Sequence, residues 1–301
     1  MCRGPHDATM PGGTRTTVWH PSAAMTCSHA RLGFLLLALL LAGCPDDGGT
    51  LPTDDDDSVA DDDDATGDDD DSTPQPTNPR PVTVDTSDGV ALRGTFQAAP
   101  GVDEGPGVLL VHELYGDTGD FVTVWNNFLN QGIAVLAVDL RGHGNSPDVA
   151  GSIDDLRTDP ALLPLDVQAA LQFLADEDTV DPNRLGLLGL DVGANLTLLA
   201  AHEGWGVAAY VAVSPDLAGV EALSGTTLDA LQLSAGGQFV AGTTDDASAA
   251  DTEDLYDVAA EPKDLRIVLG TGAHGAALVS GSPDAQSGVV AWLAGQLDDD
   301  E

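Results

Sequence analysis

The chain has 301 residues, with 50 Asp and Glu against 10 Lys and Arg, a formal charge of −40 at pH 7. A field of that sign repels phosphate backbones, so nucleic acid is excluded as a partner. The charge speaks to partners and solubility, not to the fold.

Near the amino terminus, "HARLGFLLLALLLAGC" has a basic flank at His29 and Arg31, an apolar run from Leu32 to Leu41, and the small residues Ala42 and Gly43 before Cys44. The run is shorter than the ~20 residues that span a bilayer. It resembles a bacterial lipoprotein signal peptide ending in the lipobox "LAGC", which implies cleavage after residue 43 and acylation of the Cys44 thiol. Two or three acyl chains, at ~0.8 kcal/mol per buried CH₂, make a stable anchor. Met25 lies just upstream of the basic flank and is read as the true start of translation. Cys2 and Cys27 then fall in discarded sequence, and no cysteine is left for a disulfide or a metal site. The resemblance places the protein in the bacterial cell envelope, lipid-anchored, with its domain in the periplasm or at the cell surface; Pro45 resembles outer-membrane sorting.

Residues 44–80 carry three four-Asp blocks recurring every seven residues, then a Pro/Thr segment. A heptad seam needs apolar a and d positions, which these blocks lack. Like charges at this density repel and extend, so the segment reads as a solvated acidic spacer. Nothing in it matches the ligand order of a calcium loop.

From 81 to 297 the composition becomes that of one globular domain, followed by an acidic tail, 298–301. Short apolar, β-rich runs predict strands at "VTVDT", "VALRGTFQA", "GVLLVH", "IAVLAVD", "RLGLLG", "VAAYVAVS", "GQFVAG" and "LRIVLG". Helical patterns fit 121–131, 159–176, 191–202, 249–259 and 283–297. The first two strands leave no room for a helix between them and are expected to pair antiparallel at one edge. The remaining β/α alternation predicts a mostly parallel, eight-stranded sheet with helices on both faces. Runs such as "VLLVH" and "AVLAVD" lack polar alternation, as strands buried on both faces should. In open parallel sheets ligands gather beyond the carboxyl ends of the strands, which makes His112, Asp139, Asp191, Asp245 and His274 candidates by position.

The order of "VLLVHELYGD", "AVLAVDLRGHGNS", "LPLDVQAALQFL", "GLDVGAN" and "GTGAHGAAL" resembles the α/β-hydrolase superfamily, in particular dienelactone hydrolases and compact serine esterases. That resemblance implies an α/β-hydrolase fold without a large cap and a chain-ordered triad of elbow, acid and histidine. It assigns the elbow to Asp191, the general base to His274 and the orienting acid to Asp245, with Asp246 as a rival. It also implies an oxyanion hole made by the N–H groups of Leu114 and Val192. Gly189 and Gly193 let strand and helix approach at the elbow without Cβ clashes.

Asp191 departs from the esterase pattern, because a carboxylate attacking an acyl carbon would form an anhydride and place its charge beside the developing oxyanion. The expected function is therefore a surface-anchored hydrolase of an ester or related small substrate, with two alternatives. One is a catalytically inactive binding protein on the same scaffold. The other is an Asp-nucleophile hydrolase similar to haloalkane dehalogenases and epoxide hydrolases, although Val192 stands where the former place a Trp and no cap fits between the sixth and seventh strands. In a further variant a different residue or a bound water performs residual hydrolysis, with Asp191 as base and Glu113 assisting. His112, Asp139, Arg141 and His143 are expected to shape the site, Asp166 to be structural, and Trp125, Trp205 and Trp292 to serve the core or its edge. No cofactor or metal is implied. The expected partners are a small-molecule substrate or ligand and the membrane through lipidated Cys44, and the domain is expected to be a monomer.

Overall fold

The computed structural model describes residues 78–298; the signal segment, Met25, Cys44 and the Asp blocks lie outside the described residues. Eight strands form one sheet: β1 (Arg80–Asp85), β2 (Ala91–Gln97), β3 (Gly105–Val111), β4 (Ala134–Asp139), β5 (Val180–Leu190), β6 (Ala209–Val213), β7 (Gly236–Gly242) and β8 (Lys263–Val268). Their order across the sheet is β1-β2-β4-β3-β5-β6-β7-β8. β1 and β2 form the expected antiparallel pair at the edge, β2 is antiparallel to β4, and every other pairing is parallel.

The helices are α1 (Trp125–Asn130), α2 (Ile153–Leu156), α3 (Leu163–Ala175), α4 (Val192–Glu203), α5 (Leu217–Ser224), α6 (Ala249–Val258), α7 (Gly275–Gly281) and α8 (Pro283–Gln296). Two cores lie on opposite faces of the sheet. Leu109, Val111, Leu136 and Val138 pack toward α3, α4, α5 and α6, whereas Val108, Leu110 and Val135 pack toward α1, α7 and α8. Successive strand residues point to opposite faces, and both faces are covered, which is why these strands read as unbroken apolar runs. The run Val192–Ala201 in α4 is buried at every position, so that helix sits inside the domain rather than on it.

Several boundaries differ from the sequence expectation. The helix expected at 121–131 is a 3-10 turn (Thr118–Phe121) followed by α1, because Val122, Thr123 and Val124 interpose β-branched residues with low helix propensity. The helix expected from 159 starts at Leu163, with Pro164 in the first turn, where its missing N–H leaves no bond unmade. The short α2 and α7 were not expected. No helix among the described residues is long and apolar enough to cross a membrane.

Chain direction across the sheet reverses at β3: β4 lies on one side of it and β5 on the other. The loops after β3 and β5 therefore meet at the carboxyl edge, the crevice in which such sheets bind ligands.

Candidate active site

Asp191 stands between β5 and α4 with φ 51° and ψ −113°, a backbone conformation that costs a non-glycine residue ~1–3 kcal/mol. The turn is fixed on both sides: the Asp191 N–H donates to the Val213 carbonyl (3.0 Å), and the Asp191 carbonyl accepts from the Asn195 N–H (3.1 Å). A Cβ on Gly189 would collide with the Gly193 carbonyl, and one on Gly193 with the Val111 carbonyl, so both elbow glycines are required by close approach. The Asp191 side chain does not cap α4; its carboxylate turns instead to Leu114, Arg157 and His274.

Several groups meet around its carboxylate. The Leu114 N–H donates to Asp191 Oδ2 at 3.3 Å. His274 Nε2 lies 3.3 Å from Asp191 Oδ1, and His274 Nδ1 lies 2.8 Å from Asp245 Oδ2. Ser248 Oγ donates to that same Asp245 oxygen at 2.6 Å. Asp246 is exposed, while Asp245 is buried and is the one of the two that lies against the histidine. Val192 is the first residue of α4 and is fully buried beside Asp191, at the helix end where N–H groups lack intrahelical partners.

One further group was not anticipated. Arg157, at the carboxyl cap of α2, grips the Asp191 carboxylate with both ends of its fork: Nη1 to Oδ1 at 2.7 Å and Nη2 to Oδ2 at 3.1 Å. Nη1 also lies 3.5 Å from Asp216 Oδ2. Asp216 is already engaged by Asn195 Nδ2 (2.7 Å) and the Gly219 N–H (2.7 Å). The Tyr115 hydroxyl, from the loop after β3, donates to Asp154 of α2 and ties this short segment over the crevice. The sequence signal was present in "SIDDLRTDP", a cation among acids in the loop after the fourth strand, but nothing in its spacing gave the fork a partner.

These contacts set the charge states. The hydrogen bond to Asp191 pushes His274 up to about 9, against the opposing effect of burial, and Asp245 adds to the rise. Burial raises the Asp191 carboxyl, but bonds from His274 and Arg157 outweigh it and hold the group at about 2. Asp245 is likewise lowered on balance: burial raises it, and Ser248 and His274 more than offset that. At neutral pH the site is an alternating row of charges, Arg157⁺, Asp191⁻, His274⁺ and Asp245⁻.

The remaining candidates are structural. His112 donates from Nδ1 to the Glu113 carbonyl (2.7 Å) and accepts the Leu140 N–H at Nε2 (2.9 Å), which fixes a neutral ring; burial pushes its pKa down to about 4. Glu113 accepts the Ala276 N–H at 2.8 Å, fastening the loop after β3 to the start of α7 beside His274. Asp139 accepts the Thr118 and Asn145 N–H groups, each at 2.8 Å, and His143 Nδ1 lies 2.9 Å from the Arg141 carbonyl. Arg141 is buried between Asp166 (Nε to Oδ1, 2.8 Å) and Asp88 (Nη1 to Oδ2, 2.7 Å). Trp125, Trp205 and Trp292 pack against the core edges.

The fold, the elbow and the crevice together define an α/β-hydrolase. The chain belongs to the family described as serine aminopeptidase, S33, which matches residues 106–260. An uncharacterized protein of Mycobacterium tuberculosis (strain H37Rv) is 30% identical over 220 residues, covering 67% of this chain and 75% of the relative. Among solved structures, the Pyrococcus furiosus esterase Pf2001 superposes with a TM-score of 0.59 at 19% identity, covering 74% of this chain and 94% of that one. A dienelactone hydrolase from Anabaena variabilis superposes at 0.54 with 21% identity, covering 73% and 96%.

Proposed function

We propose that the protein is a hydrolase of small electrophiles in which Asp191 is the nucleophile, tethered to a bacterial envelope membrane through acylated Cys44. The observation that carries the catalytic reading is the placement of the two Asp191 oxygens. Oδ2 faces the Leu114 N–H, and Oδ1 faces Nε2 of a histidine whose other nitrogen is held by Asp245. An ester hydrolase of the serine type needs a neutral histidine at rest, whereas here two carboxylates keep His274 charged.

The same charges suit a two-step displacement. Asp191 Oδ1 attacks a saturated carbon; a C–O bond forms, the C–X bond breaks, and the electron pair leaves with X. The product is an alkyl ester of Asp191, which is neutral. With the Asp191 charge gone, the largest influence raising the His274 pKa is gone too, and His274 releases its proton and becomes a base. It then takes a proton from a water that adds to the Asp191 carboxyl carbon. The negative charge of the tetrahedral intermediate develops on Oδ2, where the Leu114 N–H already points. Collapse expels the alkoxide, which takes the proton from His274 and leaves as the alcohol, and the carboxylic acid left behind returns a proton to His274, restoring the carboxylate and the imidazolium. The base is thus produced only after the ester that needs it exists.

Trapping tests this reading. The domain carrying His274→Gln, incubated with alkyl halides and epoxides, should accumulate a covalent mass increment on the peptide containing Asp191, and wild type should not. An unmodified peptide in both proteins across the panel overturns the reading. If Asp191→Ser then acquires His274-dependent esterase activity, the protein is better described as a binding protein on a disarmed esterase scaffold. The bidentate Arg157–Asp191 pair is the feature that favours that second reading, since it ties up the nucleophile at rest.

A further inference from the structure

The guanidinium of Arg157 sits 2.7 and 3.1 Å from the two oxygens of Asp191, closer to them than His274 or Leu114 is. Its side chain is 35% exposed against 9% for Asp191, so solvent reaches the fork more readily than the carboxylate it holds. A planar fork matches a carboxylate and satisfies both of its oxygens at once. In this arrangement any substrate that reaches Oδ1 must displace, or share, one arm of the fork.

The charge on Asp191 does not survive the first chemical step proposed above. When Oδ1 becomes an ester oxygen, Arg157 loses its principal counter-ion and keeps Asp216, which is 3.5 Å away and already satisfied by Asn195 and Gly219. A partly desolvated guanidinium left with Asp216 and the nearby Asp154, each already bonded elsewhere, is less well compensated than one gripping a carboxylate at 2.7 Å. A substrate that carries its own anion removes that cost, and does so increasingly as Asp191 is neutralised, so the gain is realised in the transition state and not in the resting complex.

Geometry also restricts where on the substrate that anion sits. In-line displacement sends the leaving group away from Oδ1, to the side of the attacked carbon opposite the nucleophile. Arg157 is bonded to Oδ1 itself, so it faces a substituent beside the reaction axis and not the departing group. We propose, building on the Asp191-nucleophile reading, that Arg157 is a substrate-anion receptor. The site takes small electrophiles with a carboxylate on or next to the attacked carbon, and Arg157 passes from Asp191 to that carboxylate as Asp191 is alkylated. The C–O bond to Oδ1 forms, the C–X bond breaks with its electrons going to X, and the substrate carboxylate is unchanged throughout.

Binding of an unreactive carboxylate tests this without any turnover. Asp191→Asn and Asp191→Ala remove the competing anion and leave Arg157 in place. Titrated with acetate and with propionate by NMR or calorimetry, both variants should bind at least tenfold more tightly than wild type. Adding Arg157→Gln should abolish the gain, and Arg157→Lys, which keeps the charge but loses the fork, should recover only part of it. Carboxylate affinity that is unchanged by removing Asp191, or that survives Arg157→Gln, overturns the proposal. Since acetate cannot alkylate Asp191, this outcome is independent of the trapping experiment. Arg157-dependent binding without any Asp191 adduct would retain the anion site and discard the covalent mechanism.

Discussion

Replacing Asp191 by Asn should release His274 from its charged state, and the size of the change follows from the contacts. A rise from 6.5 to about 9 has the Asp191 hydrogen bond as its largest cause, with Asp245 contributing through its own bond and charge. At 1.36 kcal/mol per unit the whole rise corresponds to roughly 3 kcal/mol of preference for the imidazolium. Because the His274 side chain is 35% exposed, solvent screening trims this to ~1–2 kcal/mol. Asp245 remains in the variant, so the His274 pKa should fall by at least ~1 pH unit without dropping below the ordinary histidine value. Titration of the imidazole resonances by NMR, with His274 assigned through His274→Gln, reads this directly. A fall of less than ~0.5 unit would show that Asp191 does not hold the proton on His274, and the timing argument for the base would lose its foundation. The stability linkage has a matching sign. His274 is raised, so its contribution is complete below pH 6.5 and is lost as pH climbs through about 9. Asp191 is lowered from 3.8, so its contribution is complete above that pH and is lost as pH falls through about 2. The excess stability of wild type over Asp191→Asn that comes from this pair is therefore greatest between pH 3.8 and 6.5.

Two further substitutions test the frame around the site. Gly193→Ala places a methyl against the Val111 and His112 carbonyls, backbone atoms that cannot move aside, and should destabilise the domain by ~3 kcal/mol or more in chemical denaturation; a loss below ~1 kcal/mol would mean the elbow is looser than described. Asp166→Ala leaves Arg141 buried with Asp88 as its remaining acidic partner, and should cost ~3–5 kcal/mol while the adjacent crevice keeps its carboxylate affinity in Asp191→Asn background; a near-neutral result would remove the structural role assigned to that pair.

The fold was legible because its strands are buried on both faces. "VLLV" and "AVLAV" lack polar alternation, as strands of a covered sheet do, and the missing helix between the first two strands pointed to the antiparallel pair that is found. The elbow was legible through Gly189 and Gly193, whose contacts with the Gly193 and Val111 carbonyls admit no side chain. His274 and Asp245 were legible through their positions after the last two strands, which is a matter of topology. Arg157 was not. It caps a four-residue helix too short to show an amphipathic period, and its partner is 34 residues away in the chain. Tyr115 was missed for the same reason: its contact joins the loop after β3 to Asp154 of α2, 39 residues on, and neither local sequence signals that approach. Helix starts were misplaced where prolines and β-branched residues near the termini overrode the apolar period, as at Pro164 and Val122.

The central claim is that Asp191 attacks the substrate and water attacks Asp191. Single-turnover hydrolysis of 2-halocarboxylates and epoxides in H₂¹⁸O, with the protein in excess, separates this from every mechanism in which water attacks the substrate. The label should enter the Asp191 carboxylate, seen by mass spectrometry of its peptide, and the first-turnover alcohol should carry ordinary oxygen. Label in the alcohol with none in Asp191, or no turnover of any electrophile, would contradict the account.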